Sequence, residues 1–297
     1  MRLLVILLAW VLRRQLDVRH YMEPDGWQRR LIRRLAGAGS GRTGVQLYLV
    51  QSLYVLGVIV VALGTWGLGG WMGGLWATAI ALAMLLCATG MPGWREPLAL
   101  YSEAWNRGDM QSAWHHVSHL LPTERRGEAL SPDSLHLQLA ESLINTTFER
   151  YFLPIFWYAV LGPAGLLLML GALAIRRHHP TAAVQELFER WVELLAWVPA
   201  RLLGFSFGIA GDLSGWLQEQ KAEARVPGER RPALLLRAAN GALSSYALDP
   251  RRFEHLHPDS WQEYGGRSLA AVRDLLNRSM LVWIAVLALL AIMGLLP

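Results

Sequence analysis

Residues Glu141 to Ile175 read ESLINTTFERYFLPIFWYAVLGPAGLLLMLGALAI. The first ten of them carry Glu141, Asn145, Glu149 and Arg150, and from Tyr151 to Ile175 there is no charge at all. An uncharged run of that length is about what crossing a bilayer requires, roughly 20 residues. Polar groups therefore converge where a helix enters an apolar environment. The Gly162-Pro163 pair interrupts the run. Proline lacks a backbone donor and kinks a helix, and in lipid the freed carbonyls need a protein or water partner. The stretch is expected to sit among other helices.

Working outward, composition agrees. Of 297 residues, 53% are apolar and 14 are tryptophan, while only 17% are charged. Soluble domains average about 25% charged residues. The chain is expected to be all-α: a polytopic membrane protein with about five transmembrane helices and cytoplasmic helical segments. Cys87 is the single cysteine, so no intrachain disulfide forms. The net charge of +5 comes almost wholly from arginine, because Lys221 is the one lysine. In a chain this apolar, basic segments facing anionic lipid explain the charge. No zinc-finger spacing, basic zipper or aromatic RNA-binding motif is present, and no nucleic-acid partner is expected.

Six segments follow. Residues 1–44 are basic, with arginines at 13, 14, 19, 29, 30, 33, 34 and 42. They stay in the cytoplasm by the positive-inside rule. Leu3 to Leu12 is too short to span, and no small-residue cleavage site follows it, so it reads as a retained half-helix or interfacial anchor. Trp27 to Leu35 has the spacing of an amphipathic surface helix. Residues 45–91 form a transmembrane hairpin, Val45–Trp66 and Trp71–Met91, with Trp66, Trp71 and Trp94 at interfacial depth.

Residues 92–150 are cytoplasmic helices. Asp109 caps the helix from Met110, and Ser131 with Pro132 at N1 starts another. On that helix Glu141, Asn145 and Glu149 recur every four residues and share a face. His115, His116 and His119 lack an acidic or cysteine companion nearby and read as a solvated or packed face.

Residues 151–212 hold two membrane segments. The first is Phe152–Ile175. The second, Val192–Gly211, carries Arg201 inside an apolar run; that arginine either snorkels to lipid phosphates or binds an anion. Residues 213–279 are basic again and are expected in the cytoplasm, so both segments should cross. Helices are expected over Pro232–Ala247 and from about Ser268. Residues 280–297 leave as a C-terminal span.

FERYFLPIFWYAVLGPAGLLL (148–168) and WVPARLLGFSFGIAGD (197–212) together resemble the AmpE/CobD–CbiB superfamily of bacterial inner-membrane proteins. The order of elements resembles it too. In the CobD/CbiB branch, which resembles adenosylcobinamide-phosphate synthases, a nucleotide-dependent ligation forms an amide. The chain departs from that branch. HLLPTERRGEALSPDS lacks its GRDT-like stretch, and the N-terminal D-x-x-x-GDP pattern is absent. ESLINTTFERYF keeps Glu141, Ser142 and Asn145 but loses the aspartate-glycine pair. RAANGALSSYAL keeps Asn240 and Gly241.

The resemblance is therefore to the AmpE branch, which implies an inner-membrane regulator linked to β-lactamase induction and peptidoglycan recycling. The ligand-binding candidates are Glu141, Asn145, Glu149, Arg150, Arg201 and Asn240. Their partner is a small polar ligand, a protein or a second copy of the chain. The alternative is a divergent ligase using Mg-ATP, with Glu141 and Glu149 holding the metal and Arg150 or Arg201 neutralising phosphate.

Overall fold

The computed structural model describes residues 2–18, 26, 29–30, 32–34, 43–67, 71–90, 93–121, 131–223, 230–244 and 247–295. Among them there is helix and no strand. In chain order the helices are α1 (Arg2–Val18), α2 (Thr43–Gly67), α3 (Trp71–Ala88), α4 (Arg95–Asn106), α5 (Met110–Val117) and α6 (Pro132–Thr147). A π-turn over Phe148–Phe152 leads to α7 (Leu153–Leu161) and α8 (Pro163–His178). Then follow α9 (Ala182–Ala210), α10 (Leu213–Glu223), α11 (Arg231–Ala242), α12 (Pro250–Leu256) and α13 (Trp261–Ile292). The helices α9 and α13 are long and apolar enough to cross a bilayer. Val50–Gly64 and Thr78–Ala88 are shorter apolar helices.

The chain divides into two compact units. The first comprises Met1–Gly90, Glu149–Pro199 and Val286–Pro297. In it α1 packs on α3 and α7, and α2 packs on α8. The buried residues of α1, Val5, Ile6, Ala9 and Arg13, recur at helical spacing. Its ends are fastened by arginines. Arg13 Nη1 donates to the Leu86 carbonyl at 3.3 Å, near the end of α3. Arg2 Nη1 donates to the Ala159 and Val160 carbonyls, at 3.0 and 3.2 Å. Those carbonyls close α7 and lack helical partners because the chain breaks at Gly162. The protein partner expected for the broken helix is thus a side chain from α1. That helix is also longer than the Leu3–Leu12 segment expected.

The expected single crossing over 152–175 is corrected. Gly162 sits at φ 67°, ψ −148°, a conformation open in practice to glycine alone. The run splits there into α7 and α8, which pack against each other. Their nine and sixteen residues give roughly 13 and 24 Å of helix, against a hydrocarbon core of about 30 Å. The two polar ends meet: Arg176 and Arg177, in the last turn of α8, both hold Glu149, ahead of α7. The stretch is a closed hairpin, not a rod. The physical reason is legible in hindsight: a glycine at positive φ before a proline reverses the chain, and a buried carboxylate needs cations.

Around this hairpin, Tyr54 of α2 donates to the Leu168 carbonyl, with its ring edge-on to Phe188 at 5.3 Å. Trp157 Nε1 donates to the Leu195 carbonyl at 3.2 Å. In the basic region residues 26, 29–30 and 32–34 are helical, with Ile32 buried and Arg29, Arg30, Arg33 and Arg34 exposed. That is the amphipathic pattern expected, though Trp27 and Leu35 lie outside the described residues. So do the 68–70 turn and the side chains of Trp66 and Trp71.

The second unit comprises Met91–Phe148 and Ala200–Ala285. Here α4 packs on α5, α6 on α11, and α10 on α11. Asp109 caps α5 by accepting from the Ser112 amide at 3.0 Å. Ser131 and Ser134 form a reciprocal capping box at the start of α6, with Pro132 at N1. Both caps agree with the sequence reading. The helix expected over 232–247 ends at Ala242, and α13 begins at Trp261, earlier than Ser268. At the α10–α11 crossing, a Cβ on Gly241 would stand 3.0 Å from the Gly215 carbonyl and 2.8 Å from Glu219 Cγ. Only a bare Cα lets these two helices approach so closely.

Candidate functional site

The sequence candidates fall into groups that the structure treats differently. Glu141 and Asn145 lie half-buried on α6, in line with Gln138 and with Phe148 just beyond the helix. The guanidinium of Arg231, at the start of α11, lies over the Phe148 ring, 5.4 Å from its centroid. Arg251, just after the start of α12, reaches Asp133 at the other end of α6. So α11 runs antiparallel to α6. Asn240 is half-buried near the end of α11.

On α6 and α11 three amide oxygens, Gln138 Oε1, Asn145 Oδ1 and Asn240 Oδ1, are buried without a hydrogen-bond partner among the described residues. The indole N–H of Trp216 on α10 is in the same condition. Each such group costs about 1–3 kcal/mol, and native proteins hold few of them. Gln138 and Asn145 belong to α6, Asn240 to α11 and Trp216 to α10. Gln138 and Trp216 were not singled out from sequence. Gln138 falls three residues before Glu141, on the same helical face, and that periodicity was the signal available.

Glu149 has a different environment. It lies 3% exposed in the π-turn, where both carboxylate oxygens accept from Arg176 Nη2, at 3.0 and 2.9 Å. Arg177 Nη2 donates to the same group at 2.5 Å, and Arg176 Nε faces Glu189 at 3.5 Å. Burial pulls the Arg176 pKa down, but Glu149 and Glu189 outweigh it and the net shift is upward. Arg150 is half-buried in the same turn, and Arg201 is exposed on α9. Glu149 is buried against Arg176 and Arg177, whereas Glu141 and Asn145 are half-buried on α6. Among the described residues no group of three or more His, Cys, Asp or Glu side chains is placed to hold a metal. His115 is exposed and His116 half-buried, their rings edge-on at 6.3 Å.

Sequence reasoning passed over His136, which is wholly buried in the second unit. Its Nδ1 lies 3.0 Å from the Tyr101 hydroxyl and its Nε2 2.9 Å from Ser268 Oγ. Ser268 Oγ in turn donates to the Ala247 carbonyl at 2.5 Å. Since that hydroxyl spends its proton on Ala247, it accepts from His136 Nε2–H. Nδ1 then accepts from Tyr101. The chain of bonds fixes one neutral tautomer. Trp105 and Tyr264 enclose the ring, at centroid distances of 5.5 and 4.9 Å. Desolvation pushes the His136 pKa down to about 3. Nothing here reaches solvent, so His136 anchors α13 to α4 and α6 rather than carrying chemistry.

With this geometry in place, comparison with known families is decisive. The family model described as regulatory signalling modulator protein AmpE matches residues 1–220. The chain belongs to the AmpE family. The match takes in α1 to α9 and most of α10, and with them Glu141, Asn145, Glu149, Arg150 and Arg201. Asn240 lies beyond it. Comparison with curated proteins and with solved structures finds no significant match to the chain.

Proposed function

We propose that this AmpE-family chain is a multi-pass regulator of the bacterial inner membrane, acting in β-lactamase induction and peptidoglycan recycling by sensing a small polar ligand at the α6–α11 seam. The family match over residues 1–220 carries the regulatory reading. The unpartnered amide oxygens of Gln138, Asn145 and Asn240 support a ligand rich in amide and hydroxyl groups, since an amide side chain both gives and accepts hydrogen bonds. The apolar helices α2, α3, α9 and α13 support the membrane reading.

The test is thermal denaturation of the purified protein in detergent, with anhydromuropeptides, Mg-ATP and adenosylcobyric acid titrated separately. A ligand that binds the folded state alone raises Tm in a concentration-dependent way. The expected result is a rise with muropeptides that is lost in Asn145→Ala. A rise confined to Mg-ATP or the corrinoid would overturn the regulator reading in favour of a divergent CobD/CbiB-like ligase.

A further inference from the structure

Pro199 stands in the interior of α9, with helix on either side of it. It has no N–H to give the carbonyl of Leu195, four residues back, and its ring crowds that carbonyl, so a helix bends at such a residue. Leu195 is half-buried and Pro199 buried. A carbonyl left there without a donor is costly, so the bend needs a donor from outside the helix. Trp157 of α7 supplies it: its Nε1 donates to the Leu195 carbonyl at 3.2 Å. The carbonyl that the proline deprives is the one that the indole serves.

The donor is held by the α7–α8 hairpin. Gly165 of α8 lies against the α7 backbone, where a Cβ would stand 2.3 Å from the Trp157 carbonyl, too close for any side chain. Glu149 and Arg176 close the same hairpin at its base. The Trp157 ring is edge-on to Phe156 at 5.4 Å. Trp157, Gly165, Leu195 and Pro199 all belong to the first unit. Beyond Pro199, α9 runs on to Ala210. Pro199 ends its share of the first unit, and Ala200 opens its share of the second. The proline thus falls where α9 passes from one unit to the other.

We propose that Pro199 is a hinge in α9 and that Trp157 is its latch. While the indole N–H holds the Leu195 carbonyl, α9 keeps one bend. When the hairpin draws Trp157 away, that carbonyl loses its donor and α9 changes its bend at Pro199. The device couples the position of α7 to the direction of residues 200–210. It goes beyond the ligand reading above and stands whether or not the α6–α11 seam binds anything.

The latch is tested by a double-mutant cycle of Trp157→Phe and Pro199→Ala in the full chain in detergent, read by hydrogen exchange over residues 195–203. Phenylalanine keeps a ring and removes the N–H; alanine restores the amide that Leu195 lacks. Trp157→Phe alone is expected to speed exchange there by about tenfold. In the Pro199→Ala background it is expected to change nothing. Equal effects in the two backgrounds would show that the indole only packs, and would overturn the proposal. The hinge is read by double electron–electron resonance in a Cys87→Ser background, with one nitroxide on Ile209→Cys and the other on Val160→Cys or Leu63→Cys, all exposed positions. Residues 199–209 make about 15 Å of helix, so a change of bend of about 20° moves position 209 by about 5 Å. Trp157→Phe is expected to shift or broaden at least one of the two distance distributions by about that much, and to leave both unchanged when Pro199→Ala is present. Distributions that Trp157→Phe alone leaves unchanged in both pairs would show that α9 is rigid at Pro199, and would also overturn it.

Discussion

Arg176 Nη2 bridges both oxygens of Glu149, at 3.0 and 2.9 Å, and so ties the two ends of the α7–α8 hairpin together. The pair is buried on the Glu149 side, with Arg176 15% exposed. Removing one partner of a buried pair strands the other charge, at about 3–5 kcal/mol. Glu149→Ala is expected to lower Tm strongly. Glu149→Ala with Arg176→Ala and Arg177→Ala together is expected to lose less than the sum of the separate changes. Thermal denaturation in detergent checks this; strict additivity would mean the three groups are not coupled.

His136 carries a pH dependence whose sign is fixed by its burial. Its folded pKa is depressed to about 3 from an ordinary value of 6.5. The unfolded chain therefore binds a proton more readily than the folded one. The stabilisation is present in full above about pH 6.5 and is lost progressively as pH falls toward about 3. Melts from pH 7.5 to 4.5 are expected to show Tm falling in wild type, with a shallower fall in His136→Gln. Equal slopes would place the titrating group elsewhere.

Tyr101→Phe isolates one link of the same chain of bonds. The ring remains among Trp105 and His136, but Nδ1 loses its donor. An unsatisfied buried acceptor costs about 1–3 kcal/mol. Denaturation midpoints of Tyr101→Phe and wild type give the difference directly; a neutral outcome would show that another donor reaches Nδ1.

Much of the local architecture could be read from sequence because it depends on neighbours in the chain. Ser131-Pro132 and Asp109 declare their helix starts through side chains that bond amides two or three residues on. The all-helical class follows from apolar periodicity and the lack of alternating runs. What escaped depends on partners distant in sequence. Gly162-Pro163 announced a break, but the reversal is secured by Glu149 meeting Arg176, which spacing cannot reveal. The amides of Asn145 and Asn240 were found through their motifs, while Gln138 drew notice through its buried, unpartnered oxygen, although its spacing from Glu141 was there to be read. His136 sits between Leu135 and Leu139, and from sequence it is one more residue on an apolar face.

The Gly215–Gly241 approach predicts a steric effect confined to α10 and α11. A side chain at Gly241 meets the Gly215 carbonyl and Trp216 Cα, both at 3.0 Å, which are backbone atoms that cannot rotate away. Gly241→Val is expected to destabilise by about 1–3 kcal/mol through overpacking. Native-state hydrogen exchange should rise in α10 and α11 with little change in α1. Uniform loss of protection would indicate global rather than local disruption.

The hairpin turn itself should tolerate substitution poorly. Gly162 at φ 67°, ψ −148° lies where a β-carbon meets its own backbone, and holding another residue there costs about 1–3 kcal/mol. Arg2 acts on the same turn from outside, since its guanidinium supplies donors to Ala159 and Val160 that the reversal takes away. Gly162→Ala and Arg2→Gln are therefore expected to weaken one structure by different routes: the first by strain, the second by stranding carbonyls. Arg2→Lys can still reach one carbonyl and should recover part of the loss. Limited proteolysis of membrane vesicles reads the outcome, with new cleavage between α7 and α8 expected in Gly162→Ala and Arg2→Gln. If Arg2→Gln stays as resistant as wild type, the carbonyls of α7 are satisfied without α1, and the N-terminal helix has no part in closing the hairpin.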